Sequence, residues 1–210
     1  GAFDWPGTGN IDVDPRFCAW RAPEIWVDAR QPGPGAGSAA DPFSQLSTGL
    51  GAYRLSLRSD SPCFGAASDG LNMGTEQDSC EGPSFDSLLV HLAPGTYRVE
   101  HHDLWPHVSM EGTGQATTAI EGTVRGLRTG THLSRLQITG GREGVQVGPG
   151  EAPALDNCAI VGNVNAGLHC LGGSPELLQC TLSGNHGGVL CEQASAPILK
   201  RCIVGGSSTA

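Results

Sequence analysis

Lysine is almost missing from this chain: of 12 basic residues among 210, only Lys200 is a lysine, and 21 acidic residues leave a formal net charge of −9. Phosphate backbones are held by clustered cations, so nucleic acid is set aside as a partner. No apolar run approaches the roughly 18 residues a membrane-spanning helix needs. The first residues carry neither an initiator Met nor the apolar core of a signal peptide, so a mature form, a processed product or a fragment is expected. None of the eight cysteines forms a C-x-x-C pair, which speaks against structural zinc. Charged residues are only 16% while glycine reaches 32 of 210. In a chain without periodicity that balance would signal disorder.

This chain is periodic. Cys158, Cys180 and Cys202 stand 22 residues apart, as do Pro153, Pro175 and Pro197, and Leu136 takes the cysteine position one period earlier. Leu133, Leu155, Leu177 and Leu199 form another column, Ile138, Ile160, Leu182 and Val204 a third, and Gly140, Gly162, Gly184 and Gly206 a fourth. Within each period, apolar residues alternate over three or so positions and run straight into Gly-Asn or Gly-Gly. That is strand-then-turn chemistry, not a helical period. Further short strands follow at Val145–Val147, Gly167–Cys170 and Gly188–Cys191. Short strands with like residues stacked above like predict an all-β fold, a parallel β-helix in which each coil buries its face on its neighbours. The glycines then mark coil corners.

The stretch Leu88-Leu-Val-His-Leu-Ala-Pro-Gly-Thr-Tyr97, with Val108–Gly114 and Ala119–Gly122 after it, resembles the first coils of bacterial right-handed parallel β-helix repeat proteins of the pectin-lyase-like superfamily. The resemblance implies a right-handed helix of ~22-residue coils over 87–210 and a cap region over 24–86. Asp41-Pro42 reads as an N-cap with proline at the first helical position, placing Phe43, Leu46 and Leu50 on one face of a cap helix. Residues 1–23 contain Gly-Thr-Gly-Asn-Ile-Asp-Val-Asp-Pro-Arg-Phe17, which in that family follows the last coil. Here it comes first, which suggests a junction segment that completes a neighbouring unit.

The cysteines first read as small buried hydrophobes stacked along the core, Cys158, Cys180 and Cys202 in one column and Cys170 and Cys191 in another. Coils about 4.8 Å apart lie within the Cα separation a disulfide accepts, so geometry alone leaves bridges between coils open. Cys63 and Cys80 enclose a polar loop, and a disulfide there would stabilise it by ~3 kcal/mol, with Cys18 as the other candidate partner. Asn163 and Asn185, one period apart after corner glycines, are expected to hydrogen-bond coil to coil.

Catalytic chemistry is hard to place. Lyases of the resembling superfamily use a Lys or Arg base with Ca²⁺-holding carboxylates, and its hydrolases use clustered aspartates. From Leu133 onward the only Asp is Asp156, and Glu143, Glu151, Glu176 and Glu192 read as scattered over bends. Asp12 and Asp14 beside Asn10 offer a weak Ca²⁺ candidate, but one short run cannot supply the roughly six to eight oxygens needed. No other cofactor is indicated. His101, His102 and His107 read as an exposed polar loop, and His169, between Leu168 and Cys170, as outward-facing. The expectation is a non-enzymatic extracellular or cell-surface structural module that assembles end to end with itself, as a fibre subunit or one unit of a tandem-repeat protein. The alternative is a carbohydrate-active β-helix, lyase-like or glycan-binding, whose ligand lies along one strand face.

Overall fold

A computed structural model describes residues 24–48, 87–99 and 107–206, together with the backbone of two short strands at 17–18 and 56–57. The chain divides into two compact units, residues 1–23 with 51–86, and residues 24–50 with 87–210. In the first, β1 (Phe17–Cys18) pairs antiparallel with β3 (Ser56–Leu57), Phe17 opposite Leu57.

The second unit is a parallel β-solenoid of about five turns. One wall is a seven-stranded parallel sheet built, in spatial order, from β2 (Glu24–Val27), β4 (Leu88–Leu92), β6 (Val108–Glu111), β8 (His132–Ser134), β10 (Ala154–Asp156), β13 (Glu176–Leu178) and β16 (Ile198–Lys200). A second wall stacks β5 (Gly95–Val99), β7 (Thr118–Val124), β9 (Gln137–Val147), β11 (Ala159–Val161), β14 (Thr181–Ser183) and β17 (Ile203–Gly205). The long strand β9 turns at Gly140 and also begins a third wall with β12 (Ala166–Leu171) and β15 (Gly187–Glu192).

The register is the one the 22-residue spacing predicts. Leu133, Leu155, Leu177 and Leu199 are partners across successive coils, and so are Ile138, Ile160, Leu182 and Val204. The inner members of both columns are at most 1% exposed. Burying a Leu or Ile side chain contributes about 1.5–3 kcal/mol, so these columns are the main cohesive term between coils. Corners are made by left-handed residues. Gly140, Gly162, Gly184 and Gly206 have φ of 69°, 66°, 65° and 65°, a conformation that costs glycine nothing sterically. A second left-handed corner falls on Arg135, Asn157, Gln179 and Arg201, φ 50–55°, where a side chain makes it costly.

The end of the solenoid at β2 is plugged. Trp26 N–H donates to the Gly37 carbonyl at 3.0 Å, Phe43 N–H to the Trp26 carbonyl at 2.9 Å, and Asp28 N–H to the Phe43 carbonyl at 2.8 Å. The expected cap helix is therefore not built from Asp41-Pro42. Phe43 forms a parallel bridge to Val27, and helical backbone starts only at Leu46, continuing to Thr48. The outer edge of β2 needs backbone partners, and an extended Phe43 supplies them where a helical one could not. Phe43 and Leu46 are still 6% and 5% exposed, so the segment closes the core. Gly37, at φ 80°, is required beneath it, because a Cβ would lie 2.2 Å from the Phe43 ring. In the Pro-Gly-Thr-Tyr turn, the Tyr97 hydroxyl lies 2.8 Å from the Ala93 carbonyl and 3.0 Å from that of Val27, tying the second coil to the first. Burial pushes this hydroxyl above the usual tyrosine range. No helix among the described residues is long and apolar enough to cross a membrane.

Candidate functional site

The coil farthest from the plug is the place where the interior comes to the surface. Ile198 and Leu199 of β16 and Ile203 and Val204 of β17 are 50%, 36%, 66% and 48% exposed, whereas Leu177 and Leu182, the column partners of Leu199 and Val204 one coil back, are fully buried. Among the described residues, β15, β16 and β17 are each hydrogen-bonded on one side only. Apolar columns and free strand edges in one surface are what a further solenoid coil would cover.

Inside, the thiols of Cys158, Cys180 and Cys202 each point back at the preceding coil. They donate to the carbonyls of Leu133, Leu155 and Leu177 at 3.5, 3.6 and 3.5 Å. Contact with Cys180 and then burial push the Cys158 thiol well above its usual range, so it stays protonated. Asn163 and Asn185, 2% and 1% exposed, form the coil-to-coil ladder. Asn163 Oδ1 accepts from Gly141 N–H at 3.0 Å, while Asn185 Oδ1 accepts from both the Asn163 N–H and Nδ2 at 2.9 Å. Asn185 Nδ2 donates to the Ile160 carbonyl at 2.8 Å. The neighbouring backbone must be bare beside each Asn: a Cβ on Gly144 would meet Asn163 Nδ2 at 2.9 Å, and one on Gly167 would meet Asn185 Nδ2 at 2.7 Å.

Two clusters on the outer faces combine residues the sequence leaves apart. On the third wall, Glu143 and His169 are buried beside Arg125, Arg142, Asn165 and Glu192. Glu143 and Glu192 thus lie on strands β9 and β15, not on bends, and His169 faces outward yet is only 9% exposed because carboxylates from both neighbouring coils cover it. Its Nδ1 lies 3.9 Å from Glu143 Oε1 and its Nε2 3.4 Å from Glu192 Oε1. Both ring nitrogens, Glu143 Oε2 and Arg125 Nε are shut off from solvent without a hydrogen-bond partner, and Arg125 Nη2 reaches Glu143 Oε2 from the preceding coil at 3.8 Å.

The second cluster lines an open groove of about 370 Å³ near the plugged end. Trp26 and His91, partners across β2 and β4, stack with ring centroids 4.8 Å apart. Carboxylates approach both ring nitrogens of His91, Glu24 at 3.3 Å and Glu111 at 3.7 Å, and Arg135 holds Glu111 at 3.1 Å. The wall opposite is the 28–42 loop, where Arg30 holds the Asp28 carboxyl below the usual range by a hydrogen bond to its side chain.

The Ca²⁺ candidates Asp12 and Asp14, the pair Cys63 and Cys80, the loop histidines His101 and His102, and the side chains of 1–23 all lie outside the described residues. Among the described residues, no three His, Cys, Asp or Glu side chains converge as a metal site would require. The chain matches no protein-family model, no curated protein and no solved structure.

Proposed function

We propose that this chain is a non-enzymatic structural module of the extracellular space or cell surface, a right-handed, bacterial pectin-lyase-like β-helix used for its length. It serves as a fibre subunit or as one unit of a tandem-repeat protein. The observation that carries this reading is the difference between the two ends of the solenoid. The β2 end has its backbone satisfied and its core closed by residues 36–48, whereas the β16–β17 end offers exposed Ile198, Leu199, Ile203 and Val204 beside free strand edges. A surface of this kind joined to an unlike surface gives a contact that does not close on itself, and so a chain of units. The partner on the next unit is taken to be its junction segment, residues 1–23, a reading supported by the order of that segment in the sequence. Negative-stain microscopy of the purified protein tests this: filaments or linear oligomers with one unit per axial repeat are expected, and discrete single particles at every concentration would refute it.

A second reading, glycan binding along the outside of the seven-stranded wall, draws on the groove beside Trp26 and His91. Quenching of Trp fluorescence by acidic or neutral oligosaccharides, present in the native protein and lost in Trp26→Phe, is its test.

A further inference from the structure

The two cysteine columns differ in a way that singles out one pair. Cys158, Cys180 and Cys202 each have a backbone carbonyl for their S–H, which locks the thiol into the coil below. Cys170 and Cys191 have no such acceptor among the described residues. They are partners in register across β12 and β15, which sets both side chains on the same face of adjacent strands. Cys170 is fully buried, and Cys191 is exposed.

We propose that Cys170 and Cys191 are an oxidisable pair that closes into a disulfide between adjacent coils, with Cys191 as the attacking thiol and a low-molecular-weight disulfide as the oxidant. The Cys191 thiolate attacks the small disulfide, forms a mixed disulfide and releases one small thiolate. Cys170 then gives its proton to solvent and attacks the Cys191 sulfur, and the second small thiolate leaves. Two protein thiols are oxidised and one small disulfide is reduced to two thiols, so protons and electrons balance.

Geometry permits the bond at this place more readily than deeper in the stack. In-register parallel strands sit about 4.7–4.9 Å apart, and a disulfide draws Cβ atoms to roughly 3.5–4.5 Å. The required shift of about one ångström is open to β15, which is hydrogen-bonded only to β12 among the described residues. Cys158 and Cys180 precede β11 and β14, each held on both sides, and have no such freedom; Cys202 precedes the free edge strand β17, but its S–H is engaged by the Leu177 and Lys200 carbonyls at 3.5 and 3.4 Å. The chemistry also assigns the order of events. Burial, together with the neighbouring Cys191, pushes the Cys170 thiol up to about 12, so Cys170 is the slow, resolving partner and the exposed Cys191 reacts first.

The consequence is a staple at the open end. It ties the 176–192 coil to the 154–171 coil, where the free edge of β15 would otherwise fray. This role goes beyond the structural one, because it makes the state of the open surface depend on the redox potential around it.

The test is peptide mapping under non-reducing conditions after the intact protein is incubated with oxidised glutathione at mildly alkaline pH. The expected product is a peptide linked through Cys170 and Cys191, with hydrogen exchange in β15 slowed relative to the reduced protein. Cys170→Ser should stop at a glutathione adduct on Cys191, and Cys191→Ser should give neither adduct nor link at this pair. Serine is close in size, and an unchanged far-UV spectrum establishes that each variant is folded. A wild-type protein whose Cys191 stays reduced, whose glutathione adduct is never resolved, or whose bridge forms between Cys180 and Cys202 would overturn the proposal.

Discussion

Truncating Asn185 to alanine isolates the interaction that links one coil to the next independently of apolar burial. The side chain sits 1% exposed and makes three bonds to the preceding coil, two accepted by Oδ1 at 2.9 Å and one donated by Nδ2 at 2.8 Å. In Asn185→Ala the Asn163 N–H, inside the solenoid, loses its acceptor, and the Ile160 carbonyl loses a donor. The Asn163 amide keeps weaker partners in the Ile138 and Val161 carbonyls at 3.4 and 3.3 Å. An orphaned buried polar group costs about 1–3 kcal/mol, so with the second, partly compensated loss the variant should be about 2–4 kcal/mol less stable. Urea unfolding followed by far-UV circular dichroism measures this as a lower midpoint at unchanged slope. A solenoid can open coil by coil, so native-state hydrogen exchange at the Asn163 N–H is the local readout, and it should accelerate before exchange in β8 or β10 does. A loss below about 0.5 kcal/mol, with Asn163 still protected, would refute the ladder as a cohesive element.

Four further outcomes follow from the same geometry. Gly144→Ala would set a Cβ 2.3 Å from Ile160 Cγ2 and 2.7 Å from the Gly167 carbonyl, so a loss of about 1–3 kcal/mol in thermal or urea melts is expected. Gln179→Gly relaxes a left-handed corner at φ 53°, and a modest gain of up to about 1 kcal/mol is expected in the same melts once the added freedom of the unfolded chain is counted. Leu177→Ala, at a fully buried position, should cost about 2–5 kcal/mol, and Leu199→Ala, 36% exposed in the same column, clearly less in the dissociated unit. Finally, the Thr129 N–H at 2.7 Å and Arg128 at 2.9 Å hold the Glu151 carboxyl below its usual range. A lowered folded-state pKa gives stability that is present above the ordinary glutamate value of about 4.3 and lost as pH falls through the lowered one. Urea midpoints measured across that acid window should therefore fall less steeply in Glu151→Gln than in the native chain.

The coil register is legible in the sequence because burial repeats it: the Leu133 and Ile138 columns, the cysteine column and the corner glycines recur every 22 residues. The Asn163–Asn185 ladder is legible for the same reason. Parts that break phase are not. Glu143 pairs with Ala166, and Ala166 with Gly187, spacings of 23 and then 21 residues by their numbers, so nothing in a 22-residue alignment brings Glu143, His169 and Glu192 together. The left-handed corner at Arg135, Asn157, Gln179 and Arg201 carries three residue types, and a conformation without a residue signature leaves no column to see. At residues 41–48 a local signal, Asp41-Pro42, agrees with a helix, but the open edge of β2 decides the matter through a tertiary demand that local propensity does not contain, and Leu50 of the expected helix face lies outside the described residues. The groove by Trp26 and His91 joins residues more than 60 positions apart through β2–β4 pairing, a distance no motif spans.

Sedimentation velocity over a wide concentration range, on the native chain and on a Val204→Asp, Ile203→Asp double variant, bears most directly on the open end of the solenoid. The native chain should shift to larger species as concentration rises, and the double variant, with carboxylates set into the exposed columns, should remain a folded monomer throughout. A native chain that sediments as one monomeric species at every concentration, indistinguishable from the variant, would contradict the account.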